Sequence, residues 1–213
     1  MTSKNTYCMM PVMKHYYYQK YPYLNYPFLD EEGDAWFMFS IPAYRLARMY
    51  ESRIGRAPKS FFDCGAATGE ILRQAEDMGI QANGIDIKQY QIPVRNAYLF
   101  KSGHIQIKSI LDCAPVKADL AYCNGTLTYM NTHTLPLALE KFKNVGMLIT
   151  IHNTTEDVIA AREQGDELLY CCEPRLIKPR DWWMETFDKN GFMVDFDNEH
   201  QCFCAIPKQQ KTR

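Results

Sequence analysis

A glycine-rich turn between a short apolar run and a helical pattern constrains the fold of this chain more than any other feature. The run Phe61-Phe62 ends in Asp63, small residues fill positions 64–69, and a helical spacing begins at Ile71. Glycine permits positive φ and a close approach of ligand to backbone, and the first turn of a helix leaves N–H groups free to bind it. The pattern predicts a strand, a ligand-binding turn and a helix, as in the nucleotide site of an α/β domain.

The positions of the glycines and acids narrow the class of nucleotide. A dinucleotide fingerprint would read G-x-G-x-x-G and a phosphate loop G-x-x-x-x-G-K-[ST]. This chain has Gly65 and Gly69, followed by Glu70 where the loop lysine would stand. Asp63, two residues before the first glycine, would repel a pyrophosphate but attract a ligand that carries an amino group.

At these residues the chain resembles the class I S-adenosylmethionine-dependent methyltransferases, whose motif is an acid, any residue and Gly-x-Gly-x-Gly. Ala67 stands in place of the family's middle glycine. The resemblance implies that the cofactor is S-adenosylmethionine, which leaves as S-adenosylhomocysteine. It also implies that the turn and its acid bind this cofactor through Asp63, Gly65, Ala66, Ala67 and Gly69.

Further positions match the same family in the same order over about residues 59–125, and the resemblance as a whole covers about residues 59–207. Asp86 follows the glycine turn by about 20 residues, the spacing at which a carboxylate reaches ribose hydroxyls. The resemblance places Ile87 beside it, Leu111 and Asp112 around the adenine ring, and Asn124 at the donor and acceptor site. Asp86 and Asp112 could instead be helix N-caps, and the two glycines could be ordinary turn residues.

Strands and helices alternate after residue 58, which favours a parallel sheet with helices on both faces. Helical patterns cover residues 71–78, 89–100 and 180–187, and strand patterns cover 105–110, 119–125 and 145–152. The resemblance adds two antiparallel strands near 192–197 and 200–206. The predicted fold is therefore an α/β, Rossmann-like, seven-stranded, mostly parallel sheet with an antiparallel last strand.

Two stretches lie outside this scaffold. Residues 1–57 form a tyrosine-rich strap and a helix at 43–54, with seven of the fourteen tyrosines before Pro27. The strap is either a lid over cofactor and acceptor or a packing extension. Residues 58–213 form the methyltransferase domain, in which an insertion at about 153–178, with a β segment at 167–172, would close the acceptor pocket.

The reaction requires few chemical groups, because methyl transfer is an in-line displacement at an activated carbon and positioning supplies much of the rate. A general base helps only when the acceptor must lose a proton. His152, at the end of the fifth strand, is the first candidate for that base, followed by Asn124, Tyr129 and His133. His15 could reach the pocket if the strap folds over it. A lone histidine such as His152 is more often structural than catalytic, so a structural role is the alternative.

Composition and charge bear on the acceptor. The net charge is −1 and the pI about 6.5, which gives no overall attraction to nucleic acid or to an anionic membrane. The Asn/Asp-Pro-Pro-Tyr motif of base methyltransferases and the Lys-Asp-Lys-Glu set of ribose methyltransferases are not found. We therefore expect an oxygen or nitrogen acceptor on a small molecule or an amino-acid side chain, with no nucleic-acid or membrane partner. The alternatives are a cofactor-binding regulator without catalysis and an RNA methyltransferase.

The remaining expectations concern compartment and cysteines. The longest apolar run, residues 145–151, is too short to cross a bilayer, and no signal peptide is recognised, so the expected compartment is the cytoplasm. The eight cysteines lack zinc-site spacings and include several in predicted strands. We predict neither a metal site nor a disulfide.

Overall fold

A computed structural model describes residues 25–29, 35–87, 94–152, 154–163 and 176–208. The first element is an antiparallel hairpin of β1 (Asn25–Leu29) and β2 (Ala35–Phe39), which the sequence analysis did not predict. Helix α1 follows at Ala43–Ile54, with the bounds that its apolar spacing predicts.

The main sheet has seven strands in the order β5-β4-β3-β6-β7-β9-β8. They are β3 (Ser60–Cys64), β4 (Gln81–Asp86), β5 (Ile105–Ile107), β6 (Lys117–Asn124), β7 (Asn144–Ile151), β8 (Phe192–Asp197) and β9 (Cys202–Pro207). Strands β3 to β7 pair in parallel, whereas β9 pairs antiparallel with both β7 and β8. The predicted sheet, including its antiparallel last strand, is confirmed.

The helices alternate with these strands. They are α2 (Glu70–Asp77), α3 (Ala97–Lys101), α4 (Thr134–Lys141), α5 (Thr155–Glu163) and α6 (Arg180–Lys189), with 3-10 turns at Val94–Asn96, Ile110–Asp112 and Thr126–Tyr129. The helix expected over 89–100 is confirmed only from residue 97, after a 3-10 turn. Positions 88–93 and the β segment expected at 167–172 lie outside the described residues.

The strand predicted over 105–110 is too long, since β5 ends at Ile107. The Ser109 side chain accepts a hydrogen bond from the Leu111 N–H at 3.2 Å and so caps the 3-10 turn Ile110–Asp112. A serine that caps a turn in this way competes with continuation of the strand.

Two apolar layers cover the faces of the sheet. One contains Tyr50 of α1, Leu72 of α2 and Met147 of β7. The other contains Phe142, just after α4, and Trp183 of α6. Helices on both faces of the sheet are thereby confirmed.

The cysteines of the described ranges are buried free thiols at positions 64, 113, 123, 202 and 204. Burial among apolar side chains is usual for free cysteine. The described helices include none that is both long and apolar enough to cross a membrane.

Candidate active site

Two carboxylates lie at the carboxyl ends of the adjacent strands β3 and β4. Asp63 is 3% exposed and Asp86 is 7% exposed. Within the described residues, no hydrogen-bond donor reaches the carboxylate of Asp63. Burial first, and then the charge of Asp86, raises the pKa of Asp63 to about 8. A buried carboxylate without a donor is costly, so this edge of the sheet is suited to a ligand that brings a cation or N–H groups.

The glycine turn is held against β4 by backbone hydrogen bonds. The N–H groups of Gly65 and Ala66 both donate to the Ile85 carbonyl at 2.9 Å. The Ala67 N–H donates to Oδ2 of Asp86 at 2.8 Å. Ala67 has φ 46, in the left-handed region that costs an L-residue roughly 1–2 kcal/mol. The Asp86 carboxylate therefore helps to hold Ala67 in a conformation that the family's usual glycine would adopt freely.

The start of α2 is fixed by a buried polar cluster that the sequence analysis missed. Glu70 is 6% exposed and pairs with Arg73 at 2.6 Å and Arg95 at 3.0 Å. Asn96 donates from Nδ2 to Glu70 at 3.2 Å and to the Thr68 carbonyl at 2.9 Å. Burial opposes ionisation of Glu70, but these hydrogen bonds outweigh it and lower its pKa. Arg95 and Asn96 lie about 25 residues beyond Glu70, so no local motif signals the cluster.

The residues predicted around adenine differ in their exposure. Ile87 directly follows Asp86 and is 68% exposed. Asp112 is exposed in the 3-10 turn after β5. Leu111 packs against the apolar layer beneath α4 and lines a cleft with Leu137. The adenine-binding roles of Ile87, Leu111 and Asp112 therefore remain predictions.

The chain that follows β2 lies at the same end of the sheet. Tyr122 is aligned with Asp63 in the ladder of β3 and β6. Its hydroxyl lies 2.9 Å from the Ser40 hydroxyl and accepts the Ile41 N–H at 3.2 Å. The chain that leaves β2 is therefore anchored beside the candidate site. His15 and most of the tyrosine strap lie outside the described residues, so the lid remains a prediction.

The acceptor-side candidates occupy different environments. Asn124 ends β6 opposite Ile151, and its side chain is half-buried. Tyr129 is 61% exposed at the end of the 3-10 turn that follows β6. His133 is exposed just before α4. Asn124 and Tyr129 therefore lie on one loop at the carboxyl end of β6, and their catalytic roles remain predictions.

His152 is enclosed in the apolar layer beneath α6. Its ring stacks on Trp183 with centroids 3.9 Å apart and lies 5.3 Å from Phe203. Its Nε2 lies 2.9 Å from the Thr150 hydroxyl, and burial lowers its pKa to about 3. A weakly basic ring without access to solvent is suited to packing, so this environment does not support the prediction that His152 is a general base.

Comparison with known proteins identifies the fold. No protein-family model matches the chain, and no curated protein sequence matches it. Among solved structures it is similar to human N-acetylserotonin methyltransferase in complex with S-adenosylmethionine (TM-score 0.56, 15% identity, 78% of this chain and 51% of the other). It is also similar to the Burkholderia thailandensis 1,6-didemethyltoxoflavin-N1-methyltransferase with bound S-adenosylhomocysteine (TM-score 0.55, 11% identity, 78% of each chain). A third is the small RNA methyltransferase HEN1 (TM-score 0.56, 14% identity, 80% of this chain and 25% of the other).

These three proteins differ in length and in the acceptors that their names state. The chain spans about half the length of the N-acetylserotonin methyltransferase and a quarter of HEN1. Similarity at such low identity concerns the backbone, so the acceptor does not follow from it. The sheet order, the antiparallel β9 and these similarities together show that the chain has the fold of the class I S-adenosylmethionine-dependent methyltransferases.

Proposed function

We propose that the protein binds S-adenosylmethionine at the glycine turn and transfers its methyl group to an oxygen or nitrogen atom. The observation that carries this proposal is Asp63, a buried carboxylate with a raised pKa and no donor among the described residues. The amino group of the cofactor would supply the missing partner. The residues present fit this cofactor, because a second acid, Asp86, lies at the end of the next strand.

Each residue of the turn has a role in binding. Asp63 would hold the ammonium group, and Asp86 would accept ribose hydroxyls while it also holds the Ala67 N–H. Gly65 and Gly69, with φ 95 and 79, let the backbone approach the cofactor closely. The bound cofactor would supply an activated methyl carbon, so the protein's part is to hold the acceptor in line with it.

The acceptor that we propose is a small molecule or an amino-acid side chain. The net charge of −1 supports an acceptor other than nucleic acid. Asn124, with its half-buried amide, and Tyr129, with its exposed ring, would orient the acceptor. Because His152 is enclosed, we infer that positioning rather than proton removal by this histidine supports transfer.

A cofactor-binding protein without turnover is the second candidate. The enclosure of His152 favours it, because the residue that best fits a general base by position lies in the apolar layer. Labelled methyl transfer from S-adenosylmethionine into small-molecule, protein and RNA fractions of a cell extract separates the candidates. Transfer into any fraction refutes the non-catalytic function, and the labelled fraction gives the acceptor class.

Calorimetric titration with S-adenosylmethionine and S-adenosylhomocysteine tests the binding site. We expect Asp63→Asn to weaken binding roughly 30-fold or more, since truncating one partner of a buried charge pair costs about 2 kcal/mol or more. The matched control is Asp181→Asn, an exposed acid in the first turn of α6, which should bind as the wild type does. If the wild-type protein binds neither ligand, the proposed function is refuted.

A further inference from the structure

Thr126, which no motif singles out, lies directly on the glycine turn. An ideal Cβ added to Gly65 would lie 2.1 Å from Thr126 Oγ1 and 3.4 Å from Thr126 Cβ. Two heavy atoms without a bond between them cannot be this close, so the space beside Gly65 is filled by the threonine. Gly65 is required here for contact with Thr126 as well as for its φ of 95.

The Thr126 hydroxyl also binds the end of β3. Its Oγ1 donates to the carbonyl of Cys64 at 2.9 Å. The ladder between β3 and β6 ends one residue earlier, at the pair Asp63 and Tyr122. The threonine therefore extends the connection between the two strands beyond their backbone pairing, through one side-chain hydrogen bond.

Further contacts hold the remaining residues of the loop after β6. Leu127 is fully buried, and Thr128 donates from both its N–H and its hydroxyl to the Gly125 carbonyl, at 3.2 and 2.6 Å. The Thr128 carbonyl in turn accepts the Leu176 N–H at 2.8 Å. Residues 125–130 thus connect the glycine turn with the segment at 176, while Tyr129 is left exposed.

We infer that Thr126 is a positioning residue that couples the cofactor turn to the acceptor-side loop. A ligand bound at the glycine turn would restrict the motion of Gly65. Gly65 contacts Thr126 directly, and Thr126 is also bonded to Cys64, so Thr126 would be restricted in turn. Residues 125–130 would then become more ordered. This inference rests on the proposed function, and it adds a link between the two halves of the site. Coupling of this kind acts in both directions. Loss of the Thr126 contacts should therefore weaken cofactor binding, and residues 125–130 should no longer respond to the bound cofactor.

Serine and alanine at position 126 form a matched pair, because they differ only in the hydroxyl. We expect Thr126→Ser to bind S-adenosylhomocysteine within about threefold of the wild type. Thr126→Ala should bind about tenfold more weakly, as expected when one buried acceptor loses its donor. Thr186→Ala, on α6, is the control for loss of a threonine elsewhere and should bind as the wild type does.

Amide hydrogen exchange at residues 125–130, with and without S-adenosylhomocysteine, measures the coupling itself. The ligand should slow exchange there by about tenfold in the wild type and in Thr126→Ser, and should leave it unchanged in Thr126→Ala. Equal protection in all three proteins, or equal loss of affinity in the serine and alanine variants, overturns the inference.

Failure of the proposed function is distinguishable from failure of this link. If the wild-type protein does not bind the ligand, exchange without ligand still tests the hydrogen bond. The amides of residues 65–66 and 125–130 should then exchange faster in Thr126→Ala than in Thr126→Ser. Identical exchange in the two variants would show that Thr126 does not hold the turn.

Discussion

Replacement of Asp63 by asparagine should make the ligand-free protein more stable as the pH rises, relative to the wild type. The folded protein keeps the Asp63 proton up to a pKa of about 8, whereas the unfolded chain loses it near 3.8. Between these values the folded state binds one proton more than the unfolded state. The free energy of unfolding of the wild type therefore falls with rising pH through this window because of this one group. Asparagine does not titrate, so the variant lacks this decrease.

The size of the effect follows from the two pKa values. Each pH unit inside the window changes the free energy of unfolding by about 1.4 kcal/mol, so the variant should gain about 2.6 kcal/mol on the wild type between pH 5 and pH 7. Urea unfolding of both proteins at pH 5, 6 and 7 measures this difference directly. Because other groups titrate equally in both proteins, the comparison isolates Asp63, apart from any response of Asp86. A difference that stays constant with pH would show that Asp63 ionises normally and would remove the main support for a cation site.

Three further substitutions test the glycine turn and the enclosed His152. Ala67→Gly relieves a left-handed alanine and should stabilise the protein by up to about 1 kcal/mol in urea unfolding; calorimetry should also show tighter S-adenosylhomocysteine binding. Gln201→Gly, at φ 50 in the β8–β9 turn, should stabilise the protein similarly but leave S-adenosylhomocysteine binding unchanged. If Ala67→Gly binds S-adenosylhomocysteine no more tightly than the wild type, the role of the glycine turn in binding is refuted. Gly65→Ala should cost about 1–3 kcal/mol more than Gly103→Ala by the same unfolding assay, since both have positive φ but only Gly65 meets another side chain. Between pH 7 and pH 4.5 the unfolded wild-type chain takes up a proton at His152, whereas the folded protein, in which this histidine has a pKa of about 3, does not. The wild type should therefore lose about 2.5 kcal/mol more of its free energy of unfolding over this range than His152→Phe does. Parallel pH profiles of the two proteins would contradict this.

Local patterns predicted most of the scaffold because each element has its signal within a few residues. Helix α1 repeats its apolar residues at helical spacing, ends at Ile54 and is followed by Gly55, which adopts the left-handed φ of 82. Asp63 and Asp86 were predicted at strand ends because each acid closes a short apolar run. Parallel strands separated by helices then bring these ends to one edge of the sheet.

What the sequence did not reveal depends on contacts between distant residues. His152 directly follows strand β7, close to the position that its predicted role requires, but its ring stacks on Trp183, which lies 31 positions later. The contact of Thr126 with Gly65 joins residues that are 61 positions apart. The β1–β2 hairpin was not predicted, because Pro27 lies inside β1 and proline disfavours strand interiors, although the aromatic residues of the hairpin favour strands.

Three features of one turn are each unfavourable for the protein without a ligand. Asp63 is a buried carboxylate without a donor among the described residues, Ala67 adopts a left-handed conformation, and Asp86 adds a second acid nearby. A turn that served only to connect β3 to α2 would gain nothing from a buried acid at position 63 or a left-handed alanine, since a neutral residue and a glycine would connect the same elements at lower free energy. A cationic ligand with hydroxyl groups would make the two carboxylates favourable, because it would neutralise Asp63 and hydrogen-bond to Asp86. The gain on binding should therefore exceed what the ligand's contact area alone would supply, and S-adenosylhomocysteine should raise the melting temperature of the wild type much more than that of the already stabilised Asp63→Asn protein.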